Sequence, residues 1–296
     1  MRSEAGPSLA RSASTDKLVR TLHPAADVIT DAKERLRRYV PEPALRMRRK
    51  VLSLQRQIPL LRLKYVPRAN TTLEERKALV QQVRAADSAI VCAHTTAEIE
   101  ALVAAILDIP GSLDGCIVEA GCFKGGSTAK LSLAAKLAKR QMYVFDSFAG
   151  LPQNAEEHDR TIFGDRIDFH AGRYKGRLEE VKANVGRYGA LDVCHFVPGW
   201  FEDTMPGFHE RIAVAFVDVD LASSTATCLR YLYPLLVPGG SIFSHDGHLP
   251  LCMDVIRDDR FWNDVVGAPR PPIPGLGRRK LLRITKPSAP ALTGGR

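Results

Sequence analysis

Long apolar runs are missing from this chain. No stretch approaches the ~18 consecutive apolar residues that cross a bilayer, and the opening MRSEAGPSLARSAS lacks the apolar centre of a secretory signal. Cysteine is sparse, and the six residues at 92, 116, 122, 194, 228 and 252 include no C-x-x-C pair. Most sit in apolar surroundings and read as reduced core thiols, so a cytoplasmic protein is expected. Zinc-finger spacing and aromatic-basic interleaving are also absent, and nucleic-acid recognition finds little support. No internal repeat is present.

What is there is an ordinary globular composition with a lopsided charge. The chain of 296 residues is 45% hydrophobic and 25% charged, enough for one α/β domain of about 200 residues with an appendage. Residues 1–70 hold 16 Lys or Arg against 6 Asp or Glu, so the whole net charge of +9 belongs to this N-terminal extension. Helical patterning is expected from Asp27 to Tyr39 and from Ala44 to Tyr65, with Pro41, Pro43, Pro59 and Pro67 breaking it into short pieces. The mixture ALRMRRKVLSLQRQIPLLRLKYV suits an acidic partner, an anionic membrane surface or nucleic acid. The blander reading is an arm that packs on the domain or on a second subunit of a homo-oligomer. Thr72 and Glu75 form a capping box where the main domain begins; that domain spans 71–286, and 287–296 is a disordered tail.

The richest stretch is Cys116 to Pro152. CIVEAGCFKGGSTAK and, a helix later, YVFDSFAGLP read as strand, glycine loop, helix, strand, with a carboxylate closing each strand. Gly121, Gly125 and Gly126 allow a tight turn, and Ser127 and Thr128 are expected to cap the helix. Asp146 falls 25 residues after Gly121, where a doubly wound sheet places an acid against ribose hydroxyls. The second glycine of a dinucleotide loop is replaced by Phe123, and Glu119 stands two residues before the first glycine. Both disfavour a pyrophosphate and suit S-adenosylmethionine, which carries a sulfonium, an ammonium and a single carboxylate.

Residues 212–248, IAVAFVDVDLASSTATCLRYLYPLLVPGGSIFSHDGH, read as buried strand, helix, buried strand, with Pro238, Gly239 and Gly240 stopping the helix. The strand ends carry Asp218, Asp220, His245, Asp246 and His248. In an open parallel sheet these crowd one edge with Asp146. Trp200 and Phe201, after the strand VCHFV, fall at the same edge and offer aromatic faces to an adenine, with Phe148 opposite. Gln153 to Tyr174, poor in apolar periodicity, is expected to be a mobile lid.

Four motifs in order, EAGCFKGGS, DSFAGLP, GRLEEVKANVGRYG with VPGWFEDTMP, and DVDLASSTATCLRYLYPLLVPGG, give a chain that resembles the macrocin O-methyltransferase (TylF) family over residues 71–286. The resemblance implies an α/β fold with a doubly wound, mostly parallel sheet of the class I methyltransferase, Rossmann-like type. It implies S-adenosylmethionine as cofactor, a hydroxyl of a sugar or related natural product as acceptor, and cofactor contacts from Glu119, Gly121, Phe123, Ser127, Asp146, Ser147, Phe148, Trp200 and Phe201. It also implies a catalytic, metal-holding trio of Asp218, His245 and Asp246. Where the family usually has two consecutive aspartates, this chain has His245-Asp246. An imidazole weakens a magnesium site and suits manganese, iron or zinc better. Alternatively His245 is a metal-free general base. Two other classes stay open: a nicotinamide-dependent oxidoreductase, disfavoured by Phe123, and a non-catalytic cofactor-binding adapter that docks a partner through its basic arm. A two-metal phosphohydrolase is disfavoured because His245-Asp246 closes a strand.

Overall fold

The computed structural model describes residues 42–68 and 71–288. The chain divides into a unit ending at Leu54 and a unit from Gln55 onward. Helix α1, Glu42–Tyr65, carries Pro59 in its interior without interruption, so the expected break at that proline does not occur. Leu60 and Leu63 of its last turns are buried. The helix expected at 27–39, with Pro41, and most of the expected tail lie outside the described residues.

The second unit is a six-stranded sheet in the order β3-β2-β1-β4-β5-β6. Its strands are β1 (Cys116–Ala120), β2 (Met142–Asp146), β3 (Cys194–Pro198), β4 (Ile212–Val217), β5 (Leu236–Ser244) and β6 (Leu282–Thr285). The first five are parallel and β6 closes the edge antiparallel to β5. Burial on both faces explains the unbroken apolar run of β4, IAVAFV, and the apolar character of β1 on either side of Glu119. Ile117 and Phe216 face one core with helices α2 (Leu73–Ala89), α3 (Thr96–Leu107), α4 (Gly126–Leu137) and α5 (Leu178–Tyr188). Val118, Ala120, Ala215 and Val217 face the other, which holds Leu229 and Leu232 of α7 (Ala222–Leu235), Ile256 of α8 (Pro250–Arg257) and the fully buried Trp262. A short helix, α6 (Phe201–Thr204), follows β3. The fold class read from the sequence is the one observed.

Two local expectations need correction. Helix α4 is not capped by Ser127 or Thr128: it starts at Gly126 after a left-handed Gly125 with no side-chain cap, and both hydroxyl residues are buried within its first turn. Pro238-Gly239-Gly240 does not end a helix. Helix α7 stops at Leu235, and these residues form a bulge in β5, where the register against β4 jumps from Ile212↔Leu236 to Val214↔Ser241.

The strand order reverses between β1 and β4, and the loops leaving these two strands touch. Gly121 has φ +84°, and a Cβ on it would lie 1.9 Å from the Asp218 carbonyl oxygen. Only glycine fits there. Among the described residues no helix is long and apolar enough to cross a membrane.

Candidate active site

At the carboxyl ends of the strands lies a cavity of about 570 Å³, a size suited to a nucleoside-bearing ligand. Its floor is the glycine loop, with Gly121, Phe123, Gly126 and Ser127 lining it. The uncapped start of α4 leaves backbone N–H groups there that a ligand can satisfy. Ser147 lines the wall and shapes its turn by donating to the Gly150 carbonyl at 2.9 Å. Trp200 and Phe201 also line the cavity, carried at the edge by the tie from the Gly199 N–H to the Asp146 carbonyl, 3.0 Å.

Asp146 lines the cavity too, but its carboxylate is already engaged. It accepts the Cys122 N–H and the Phe148 N–H, both at 2.7 Å, and so stitches the glycine loop to the loop after β2. Burial raises its pKa, against the pull of these two donors. Phe148 does not face the cavity. Its backbone is left-handed and its ring is buried in the core near Phe196. Glu119 is likewise buried completely, beneath the start of α4, where desolvation raises its pKa to about 7.

The opposite end of the cavity is built around Asp218. His94 Nε2 donates to Asp218 Oδ2 at 2.9 Å and His245 Nδ1 donates to Oδ1 at 3.0 Å. The two imidazoles stand 4.5 Å apart, edge to face. His245 Nε2 lies 3.3 Å from Glu98 Oε1, while Glu98 Oε2 accepts the Thr95 N–H at 2.7 Å as part of the capping box of α3. Asp246 is fully buried. Its Oδ2 accepts the Val219 N–H at 3.1 Å, and its Oδ1 has no hydrogen-bond partner. Asp220, left-handed at φ +63°, lines the cavity, as do His248 and Lys280.

The model of the macrocin-O-methyltransferase (TylF) family matches residues 42–268. The chain belongs to that family. Among curated proteins it is 39% identical over 160 residues to an 8-demethyl-8-(2,3-dimethoxy-alpha-L-rhamnosyl)-tetracenomycin-C 4'-O-methyltransferase of Streptomyces olivaceus, covering 51% of this chain and 59% of that one. It is 32% identical over 158 residues to mycinamicin III 3''-O-methyltransferase of Micromonospora griseorubida, covering 49% and 60%. The chain thus spans about three fifths of the length of the curated relatives it matches. Among solved structures, the O-methyltransferase NovP aligns at 25% identity with a TM-score of 0.56, covering 80% of this chain and 99% of that one.

Within this TylF-family site the charges are arranged by burial and by like-charge contact. Burial alone would raise Asp218; the charge and hydrogen bond of His245, then those of His94, hold it well below the ordinary carboxylate range. Burial would lower His94, and its bonds to Asp218 and Cys92 instead raise it to about 10. His245 is raised against burial by Asp218 and Glu98. Burial would raise Glu98 as well, and His245 pulls it down to about 2. Asp246 is pushed to about 7 by burial and by Asp218, and Asp220 well above its ordinary value by burial, Asp218 and Asp246. His248 falls to about 4 through burial and the charges of Lys280 and His245.

The trio expected from the sequence is therefore split. His245 turns to Asp218 and Glu98, and the donor atoms that converge within 4.8 Å form two sets sharing Asp218: His94, Asp218 and His245, and Asp218, Asp220 and Asp246. The expectation that His245 is a general base meets a difficulty: the carboxylates of Asp218 and Glu98 raise its pKa and so favour the imidazolium, which has no lone pair to accept a further proton. His94, Glu98 and Lys280 were not identified from the sequence. The second capping box, Thr95 to Glu98, is the signal that places a helix start beside His94.

Proposed function

We propose that this protein is an S-adenosylmethionine-dependent O-methyltransferase acting on a hydroxyl of a sugar or related natural-product molecule. The observation that carries the reading is the pairing, in one cavity, of an uncapped glycine-loop cradle with a carboxylate cluster across from it. The family match supports the same activity, and the relatives are named as O-methyltransferases, one of them for a rhamnosyl-bearing tetracenomycin. Gly121, Phe123, Ser127, Ser147, Trp200 and Phe201 hold the cofactor. The fit rests on the tight turn at Gly121, where the loop runs against the Asp218 carbonyl with no room for a side chain, and on the start of α4, which has no side-chain cap. Asp146 and Glu119 act from behind, the first by tying two loops together and the second beneath the helix start. The cofactor, when bound, supplies an electrophilic methyl group. The protein contributes alignment of the acceptor hydroxyl, and such alignment is worth ~7–11 kcal/mol in well-oriented reactions.

At the acceptor end, Asp218 is kept ionised by its two imidazole partners and faces the cavity. Asp220 lines the same wall, placed to accept the hydroxyl proton when its carboxyl is ionised. His94, His245 and Glu98 are the scaffold that keeps Asp218 charged and aimed. Three carboxylates, Asp218, Asp220 and Asp246, meet with one buried oxygen, Asp246 Oδ1, lacking a partner. That donor set fits magnesium or manganese, and a divalent ion held there would acidify the acceptor hydroxyl. His245 lies outside it, and Asp220 supplies the third carboxylate where His245 replaces the first aspartate of the family pair.

The test is transfer of a radiolabelled methyl group from S-adenosylmethionine to a panel of rhamnosyl and related glycosides, with magnesium, with manganese and with chelator. Label in an acceptor hydroxyl, lost in Asp218→Ala, is the expected result. Cofactor binding without transfer to any member would favour the adapter alternative.

A further inference from the structure

Glu156, in the segment that crosses the cavity mouth, makes contacts that the methylation chemistry does not account for. The base of this segment is closed on itself: the Leu151 N–H donates to the Arg173 carbonyl at 2.8 Å and the Gly172 N–H to the Leu151 carbonyl at 2.9 Å. Its tip touches the acceptor end, where the Ile162 N–H donates to the His248 carbonyl at 2.9 Å and Phe163 stacks on the His248 ring. Between base and tip, Glu156 accepts the Ala222 N–H at 2.7 Å, the Ser223 N–H at 2.9 Å and the Ser223 hydroxyl at 2.7 Å. Helix α7 has Leu221 at its N-cap and no side-chain cap of its own. The carboxylate of Glu156, 66 residues earlier in the chain, serves as that cap.

Glu156 is itself braced. His158 Nε2 donates to its Oε2 at 2.9 Å, and Asn154 Oδ1 accepts the Glu156 N–H at 3.2 Å. The buried His158 ring meets Phe169 edge-on, Phe169 meets Tyr174, and Tyr174 meets Phe123 of the glycine loop. A contact path therefore runs from the start of α7 through the segment to the cofactor cradle. Helix α7 begins directly after Asp218 and Asp220, and the left-handed Asp220 is held in the turn that the cap terminates.

We propose that Glu156 is a positioning residue: it fastens the 153–174 segment to the N-terminus of α7, closing the acceptor side of the cavity and holding the Asp218–Leu221 turn. The function of the latch rests on the methyltransferase reading, but its existence does not. The experiment is hydrogen–deuterium exchange and limited tryptic digestion of the full chain as wild type, Glu156→Ala, Glu156→Asp and Glu156→Gln, with S-adenosylhomocysteine affinity measured on each. In Glu156→Ala, exchange of residues 153–174 and of the first turn of α7 should rise at least ~10-fold, as the cap and its further bonds are lost together. Cleavage after Arg160 and Arg166 should speed up in parallel, while β1 and β4 stay protected and adenosylhomocysteine affinity changes less than about threefold. Glu156→Gln, which keeps an acceptor oxygen, should restore most of the protection. If Glu156→Ala fails to fold, Glu156→Asp, one methylene too short to reach both amides, is expected to open the same two regions. Unchanged exchange in the Ala or Asp variant would overturn the proposal, and so would opening that spreads evenly over the sheet. Absence of adenosylhomocysteine binding to the wild type would overturn the methyltransferase reading, and the exchange result would still decide the latch.

Discussion

Replacing Asp218 with alanine probes the centre of the site through stability as well as turnover. The substitution removes one half-buried carboxylate and the two imidazole hydrogen bonds it accepts, at 2.9 and 3.0 Å. Charge-assisted bonds of this kind contribute ~1.5–3 kcal/mol each, and breaking a buried pair by deleting one partner costs ~3–5 kcal/mol. The effect should fall at the low end, about 3 kcal/mol, because Asp220 and Asp246 are relieved of a like-charged neighbour. For a domain of this size that corresponds to a melting temperature lower by roughly 6–12 °C. The sign with pH follows from His94. Its folded pKa, about 10, lies above the unfolded value of 6.5, so the pairing stabilises fully below pH 6.5 and is lost as pH rises through 10. The gap between wild type and Asp218→Ala should therefore be widest near pH 6 and narrow steadily towards pH 10. Thermal or urea denaturation across that range measures it. A gap that is absent, or that does not change with pH, refutes the view that Asp218 is held charged by its pairing with a protonated His94.

Other expectations follow from packing and from the cradle. Gly121→Ala puts a methyl group 1.9 Å from the Asp218 carbonyl at φ +84° and should abolish measurable adenosylhomocysteine binding in a calorimetric titration. Trp200→Ala should weaken that binding by about tenfold, the loss of ~1.4 kcal/mol from an aromatic wall. Trp262, completely buried with its Nε1–H on the Ile256 carbonyl at 2.9 Å, should cost ~3–5 kcal/mol on truncation to alanine, read as a lower denaturation midpoint with cofactor affinity of the remaining folded protein unchanged. Glu98→Gln removes the partner that His245 shares with Asp218; its carboxyl titrates at about 2, so its stabilising share is present above pH 4.5 and lost only as pH falls through 2, and the variant should be less stable than wild type throughout the neutral range.

The parts of this molecule that were legible in sequence are those written in local pattern. The strand–glycine loop–helix unit at 116–137 and the acid at each strand end follow from short-range periodicity, and the sheet edge gathers Asp146, Asp218, Asp220, His245 and Asp246 because parallel strands share one polarity. What local pattern does not carry is which of those groups touch. His94 reaches Asp218 across 124 residues, and Glu156 reaches Ala222 across 66. No spacing rule links either pair. Pro59 was read as a breaker, yet α1 carries it without interruption. Phe148 looked like a ligand contact from its place after β2, but its left-handed backbone turns the ring into the core. The tandem His245-Asp246 read as one metal-binding pair, whereas neighbouring positions at a strand end point to opposite faces, sending His245 towards α3 and Asp246 towards the start of α7.

The central claim is that the glycine-loop cavity is built for S-adenosylmethionine, and calorimetric titration of the full chain with S-adenosylhomocysteine, beside NAD as control, tests it most directly. Micromolar binding of the thioether with no heat from NAD, lost in Gly121→Ala, is the predicted result; NAD binding, or no thioether binding with or without magnesium or manganese, would contradict the account.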